Sequence, residues 1–428
     1  MQVGVCAAPS MHSPGHRLRC KLIELRMPDP QEVAALPEPA QSEVLGRTQR
    51  LVLITEIISP YRIPVFNALA EIDGIDLHVI FLAETDPTQR HWQVYKDEIR
   101  FSHEVLPSWR RRLGRYNLLI NGRVGSSLRQ ARPDVIVCGG YNYVASWQAL
   151  RWARRHQVPF IAWVESTCAD RRNRRSLIEF LKHRFMRGCQ AFIVAGKSSG
   201  EYVKSFGALQ NVFTAPDAVD TQFFAQRANS GRQNATARRS ELDLPQRFFV
   251  FVGRLVPEKG ILDLLKAYGA LPSELRREVG LVFVGDGPSR SELERQARLI
   301  SPGSVKFTGF IHRETLPFYY GLAETFVFPT HTDPWGLVVN EAMACSLPVI
   351  CSRAAGCAAD LVEDGRNGLI VPAGDTQALA AAMHRLMLDR DLRLRMGGYS
   401  WQRIQLHSPE ACAAGIADAV RQRGVRHE

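Results

Sequence analysis

The 428-residue chain has no run of eighteen consecutive apolar residues, so a hydrophobic stretch of membrane-spanning length is not expected. Its N-terminus lacks the charged-then-apolar order of a secretory signal, which points to the cytoplasm. The nine cysteines are odd in number, scattered and never in a Cys-x-x-Cys pair. That pattern argues against a disulfide framework and for reduced thiols in small apolar niches. Even the evenly spaced Cys345, Cys351 and Cys357 fall on different expected elements. Asp-x-Asp occurs once, as Asp389–Asp391 in LDRDLR, and reads as a helix–helix junction rather than a metal site. Aromatic-rich RNA motifs and zinc fingers are missing too, so only the positive charge suggests a nucleic-acid-binding protein.

What is present is ample core: 45% hydrophobic and 23% charged residues, in a chain long enough for two domains. The net charge of +11 is localised. Residues 101–197 hold eighteen Lys and Arg against five acids, which leaves the remainder slightly acidic. A field confined to one region suggests a docking surface. The cations cluster in WRRRLGRYN (109–117), RWARRH (151–156) and the segment 170–187. In the last, Leu177, Ile178, Leu181 and Phe185 recur at helical spacing. Such a basic amphipathic helix suits an anionic membrane surface, and it equally suits a core face with solvated cations.

Residues 1–49 carry six prolines and no sustained apolar period, which predicts a flexible N-terminal extension with Met27 as an alternative start. Beyond Arg50, short unbroken apolar runs alternate with helical segments: LVLITE, LHVIFLA, DVIVCGG, PFIAWVE and AFIVAG. FFVFVGR, GLVFVGDG, VKFTGF, TFVFPT and LPVICS repeat the scheme. Runs of this kind form parallel sheets buried on both faces. The expected fold is α/β with two βα-alternating domains, residues 50–225 and 247–405. Between them the apolar-poor segment 226–246 reads as a linker. Residues 406–428 are expected to form a helix and tail that pack back on the first domain.

Two segments of the second domain carry chemistry. In GRLVPEKG (253–260), Gly253 permits a tight turn after a strand, and Arg254 and Lys259 bring two cations to the strand end. With the following helix N-terminus they have the form of a diphosphate clamp. A solvated turn with Lys259 paired to Glu258 or Asp263 is the alternative. In THTDPWGLVVNEAMAC, Asp333 and Glu341 stand either side of an amphipathic helix start at Gly336 and Leu337. The free amides there suit a phosphate or sugar hydroxyl, and the acids can address two ends of an elongated ligand. Helix capping and local pairing are the ordinary alternatives.

GRLVPEKGILDLLKAY, LVFVGDGP, VKFTGF, DPWGLVVNEAMACSLPVI and GLIVPAGD stand in an order and spacing that resemble the retaining glycosyltransferases of family 4. The resemblance spans roughly Arg50 to Arg421 and implies the GT-B fold of two facing Rossmann-like domains. It implies that Arg254 and Lys259 hold the donor diphosphate, Glu341 the ribose hydroxyls, and the backbone around Phe310 the nucleobase, with Asp333 facing the transferred sugar. Asp333 departs from the family's usual Glu. PDAVD (216–220) departs from Pro-Asn-Gly-Val-Asp, which puts any role for Asp217 in doubt. A nucleotide-sugar donor, metal-independent transfer and no separate cofactor are expected.

In the first domain Glu165, at the end of PFIAWVE where many relatives have His, is a candidate to orient an acceptor. The competing reading has it cap a helix or pair with Arg171 or Arg172. Arg62 in the loop SPYR is a candidate phosphate contact. Gly139 and Gly140 permit close approach or a plain turn. Expected partners are a saccharide or lipid-linked acceptor and an anionic membrane surface at the inner face, with no nucleic acid. A sugar epimerase or phosphorylase of the same architecture is the rival reading.

Overall fold

The computed structural model describes residues 48–86, 94–113, 116–168, 176–208 and 210–424. Residues 1–47 of the expected extension lie outside this set, as do Arg171, Arg172, Arg174 and Arg175.

The first half contains β1 (Gln49–Thr55), β2 (Ile75–Phe81), β3 (Ser102–Val105), β4 (Ser108–Leu113), β5 (Tyr116–Asn121), β6 (Val135–Gly139), β7 (Phe160–Val164), β8 (Ala191–Val194) and β9 (Val212–Thr214). Seven of them form one sheet in the order β3-β2-β1-β6-β7-β8-β9, while β4 and β5 make a separate antiparallel hairpin. The second half contains β10 (Arg247–Val252), β11 (Val279–Val284), β12 (Val305–Phe307), β13 (Thr325–Phe328), β14 (Val349–Ser352) and β15 (Gly368–Val371), in the order β12-β11-β10-β13-β14-β15. Within both large sheets every pairing is parallel.

The apolar runs are explained by two-sided burial. In β10, Phe248, Val250 and Val252 enter one core cluster, whereas Phe249 and Phe251 enter another. In β1, Val52 and Ile54 face one way and Leu51 and Leu53 the other. Strand order switches direction between β1 and β6, and again between β10 and β13. At such a point the loops splay apart and leave a crevice at the strand C-termini. The two Rossmann-like halves implied by the resemblance are thus present.

One expectation gains detail and another is corrected. Residues 226–246, read as the linker, lie in the helices Thr221–Gln233 and Ala235–Glu241 and in the turn that precedes β10. Phe224 and Ala228 are buried in the second half's core, and Gly231 lets Phe318 approach closely. The polarity that reads as linker is the solvated face of a docked helix. The helix Leu337–Ala344 is buried from Val339 to Ala344 rather than amphipathic.

The helix Pro409–Gly424 returns to the first half, where Cys412, Ala413, Ile416 and Val420 share a cluster with Leu51, Val135 and Ile161. Asp389 caps the helix Arg390–Ile404 by accepting from the Leu392 amide at 2.8 Å. No helix of the described residues is long and apolar enough to cross a membrane.

Candidate active site

The loops after β1, β6, β10 and β13 carry most of the expected site residues, all at the two switch points. In the second half, the loops after β10 and β13 are laced together. The His331 amide and the Thr330 hydroxyl both donate to the Glu258 carbonyl, at 2.8 and 3.0 Å. Gly260 has φ +67°, and a Cβ there would collide with the Pro329 carbonyl. Only glycine fits such a left-handed, crowded position.

This lacing brings Lys259 and Asp333 together as an ion pair. The alternative partners fall away: Asp263 pairs instead with His331 at 2.5 Å. Asp333 also accepts from the Trp335 amide at 3.1 Å. Arg254, in the same loop as Lys259, is exposed and has no side-chain partner among the described residues. Gly253 and Gly336 both have positive φ, and a Cβ on Gly336 would sit 2.7 Å from the Phe328 ring. The helix Leu337–Ala344 begins there, with Gly336 at its cap. Phe310, after β12, is half-exposed and meets His312 edge to face at 5.1 Å.

Glu341 is wholly buried. The Tyr320 hydroxyl donates to its Oε2 at 2.7 Å, and Oε1 has no hydrogen-bond partner among the described residues. Burial pushes its carboxyl up to about 7, against the opposing pull of the Tyr320 and Tyr61 hydroxyls. Tyr61 belongs to the loop after β1, yet it packs on the second half's core. The halves also meet where Asp360 accepts from the Lys197 amide, at 3.2 and 3.0 Å, and where Arg313 Nη1 reaches Glu98 Oε2 at 3.0 Å.

On the first half's side, Glu165 pairs with Arg62. Arg62 Nη2 is also 3.5 Å from Asp217 Oδ1. Asp217 is thereby brought into the candidate site, a place that sequence reasoning put in doubt. It is buried, and its carbonyl accepts from Asn340 Nδ2 at 2.8 Å. Burial pushes its carboxyl up, Arg62 pulls it down and Asp333 pushes it up, so these acids sense one another. Gly140 adopts φ +83°, and its amide donates to the Trp163 carbonyl at 3.3 Å, which extends the β6–β7 pairing by one residue. A Cβ on Gly139 would make only ordinary contacts with the end of β1.

The basic segment is partly revised. Phe185 is buried, but Phe180 and Leu181 are exposed, at 62% and 43%, on the helix Ser176–Met186. Arg184 and Arg187 beside them are exposed as well.

Comparison with known proteins adds to this geometry. A family model described as glycosyl transferases group 1 matches residues 233–403, and one described as glycosyltransferase family 4 matches residues 65–223. A GDP-mannose-dependent alpha-(1-6)-phosphatidylinositol monomannoside mannosyltransferase of Mycobacterium tuberculosis is 31% identical over 244 residues, 53% of this chain and 60% of that protein. O-antigen chain mannosyltransferase B of Escherichia coli is 31% identical over 179 residues, 41% of this chain and 42% of that protein. The matches thus span less than two thirds of these relatives' length. Sucrose-phosphate synthase from Thermosynechococcus elongatus superposes with a TM-score of 0.67 at 21% identity, covering 87% of this chain and 98% of that one. Anabaena HepE in complex with UDP superposes at 0.69 and 19%, covering 87% and 100%. These structural likenesses concern the fold alone. With both halves matched in turn and the motif loops gathered at the two switch points, the chain belongs to the group 1 glycosyl transferases of family 4.

Proposed function

We propose that the protein transfers a hexosyl residue from a nucleotide-diphosphate sugar to a hydroxyl of a saccharide or lipid-linked acceptor, in polysaccharide or glycoconjugate synthesis. The observation that carries this is the unengaged Arg254 guanidinium in one short loop with Lys259, beside the helix start at Gly336. Two cations and free amides at a strand end suit a diphosphate whose charge grows as the sugar departs. The buried Glu341 Oε1, lacking a donor, suits a ribose hydroxyl. The half-exposed Phe310 loop is assigned to the base and Asp333 to the sugar.

Retention of configuration follows from front-face attack, in which the departing phosphate accepts the acceptor's proton. Arg254 and Lys259 take the place a divalent ion has in other transferases, so activity should survive EDTA. Thermal unfolding with GDP, UDP and ADP tests the reading. Stabilisation by at least one is expected, and stabilisation by none would overturn it. Incubation with GDP-mannose or UDP-glucose then separates transfer or hydrolysis from epimerisation and phosphorolysis.

The exposed Phe180 and Leu181 beside Arg184 and Arg187 favour a peripheral site on an anionic bilayer, consistent with a lipid-linked acceptor. Salt-sensitive binding to phosphatidylglycerol vesicles should be lost in F180D/L181D. Equal binding by that variant would refute the site.

A further inference from the structure

Arg62 is expected from sequence to meet a phosphate, but the structure gives its guanidinium other work. Its central carbon lies 4.1 Å from the Trp163 ring centre, and Trp163 is buried at the end of β7. One terminal nitrogen, Nη2, serves both Glu165 and Asp217. The three residues come from distant parts of the chain: the start of the helix Arg62–Ala70, the end of β7, and the crossover loop that leaves the first half.

We infer that Arg62 is a positioning residue for the attacking hydroxyl: pinned on Trp163, it holds Glu165 so that this carboxylate receives the nucleophile, and holds Asp217 as the link to the donor half. The inference rests on the transfer reading above. Glu165 is about half-exposed, so with Oε1 engaged by Arg62 its second oxygen remains for an incoming hydroxyl, from a sugar or from water. Asp217 carries the restraint across, because its carbonyl is bonded to Asn340, the neighbour of Glu341. Asn340 in turn accepts from Trp335 Nε1 at 2.9 Å, two residues beyond Asp333. The preceding residue, Tyr61, packs on the second half's core. A lysine cannot reproduce this arrangement, since it has no planar face to stack on Trp163.

The test uses the full chain and R62K, R62Q, E165Q and R62Q/E165Q. Three readouts are followed: thermal unfolding, affinity for GDP and UDP, and hydrolysis of GDP-mannose and UDP-glucose with water as acceptor. R62K and R62Q should slow donor hydrolysis at least tenfold while nucleoside-diphosphate affinity stays within about twofold of the wild type. E165Q should fall equally far, and the double variant no further, because a positioning residue acts through the group it holds. Loss of diphosphate affinity in R62K would make Arg62 a phosphate contact and overturn the inference. Unchanged hydrolysis in R62K and R62Q, or additive losses in the double variant, would also overturn it. If the wild type binds neither diphosphate, the transfer reading itself has failed, a separate outcome.

Discussion

Lys259 and Asp333, 74 residues apart in sequence, are ion-paired across the loops that end two neighbouring strands, β10 and β13. A donor diphosphate must compete with Asp333 for that ammonium. The two partners should therefore behave oppositely when removed. K259A is expected to weaken GDP or UDP binding roughly ten- to a hundredfold, as for loss of a charge-assisted hydrogen bond. D333N should leave the same binding unchanged or tighter while abolishing sugar turnover. Calorimetric titration of both variants checks the contrast.

The buried Glu341 makes stability depend on pH. Its carboxyl titrates near 7 in the folded protein against an ordinary 4.5. Between those values the folded state holds the extra proton, so stability falls as pH rises through the window. The loss should approach ~3 kcal/mol by pH 8. In E341Q this component of the pH dependence should disappear. Urea unfolding of both proteins at pH 5 and pH 8 measures the difference.

Asp217 should be costly to leave without its cation. R62Q is expected to destabilise the protein by about 2 kcal/mol at pH 8, because a buried carboxylate loses its counter-charge. Adding D217N in that background should recover most of the loss. Unfolding of the single and double variants decides it, and equal stabilities would show that Arg62 does not compensate Asp217.

Gly260 holds the two donor loops in register. G260A forces a side chain into left-handed backbone against the Pro329 carbonyl. It should cost ~2 kcal/mol or more. It should also weaken nucleoside-diphosphate binding, since Lys259 is displaced. A variant with wild-type melting and affinity would refute the lacing.

Much of this fold is legible in the chain because a sheet covered on both faces needs unbroken apolar strands. FFVFV and VFV declare themselves for that reason. The short β3, β9 and β15 and the hairpin β4–β5 carry too little apolar length to stand out. The cations at Arg254 and Lys259 are visible as residue types beside glycines after a strand. Their partners are not visible, because pairing at a separation of 74 residues is decided by strand order. Asp217 shows the limit most clearly. Only folding places it beside Arg62, and no local pattern around PDAVD tells of a cation contributed from the first helix.

The helix Pro409–Gly424 has a consequence for biosynthesis. Its Cys412, Ala413, Ile416 and Val420 complete a core whose other walls are strands made hundreds of residues earlier. The half built first is therefore the half completed last: on the ribosome its sheet waits with one apolar flank bare until residues 409–424 emerge. A chain cut short before them would leave that flank to a chaperone rather than to the helix Pro409–Gly424.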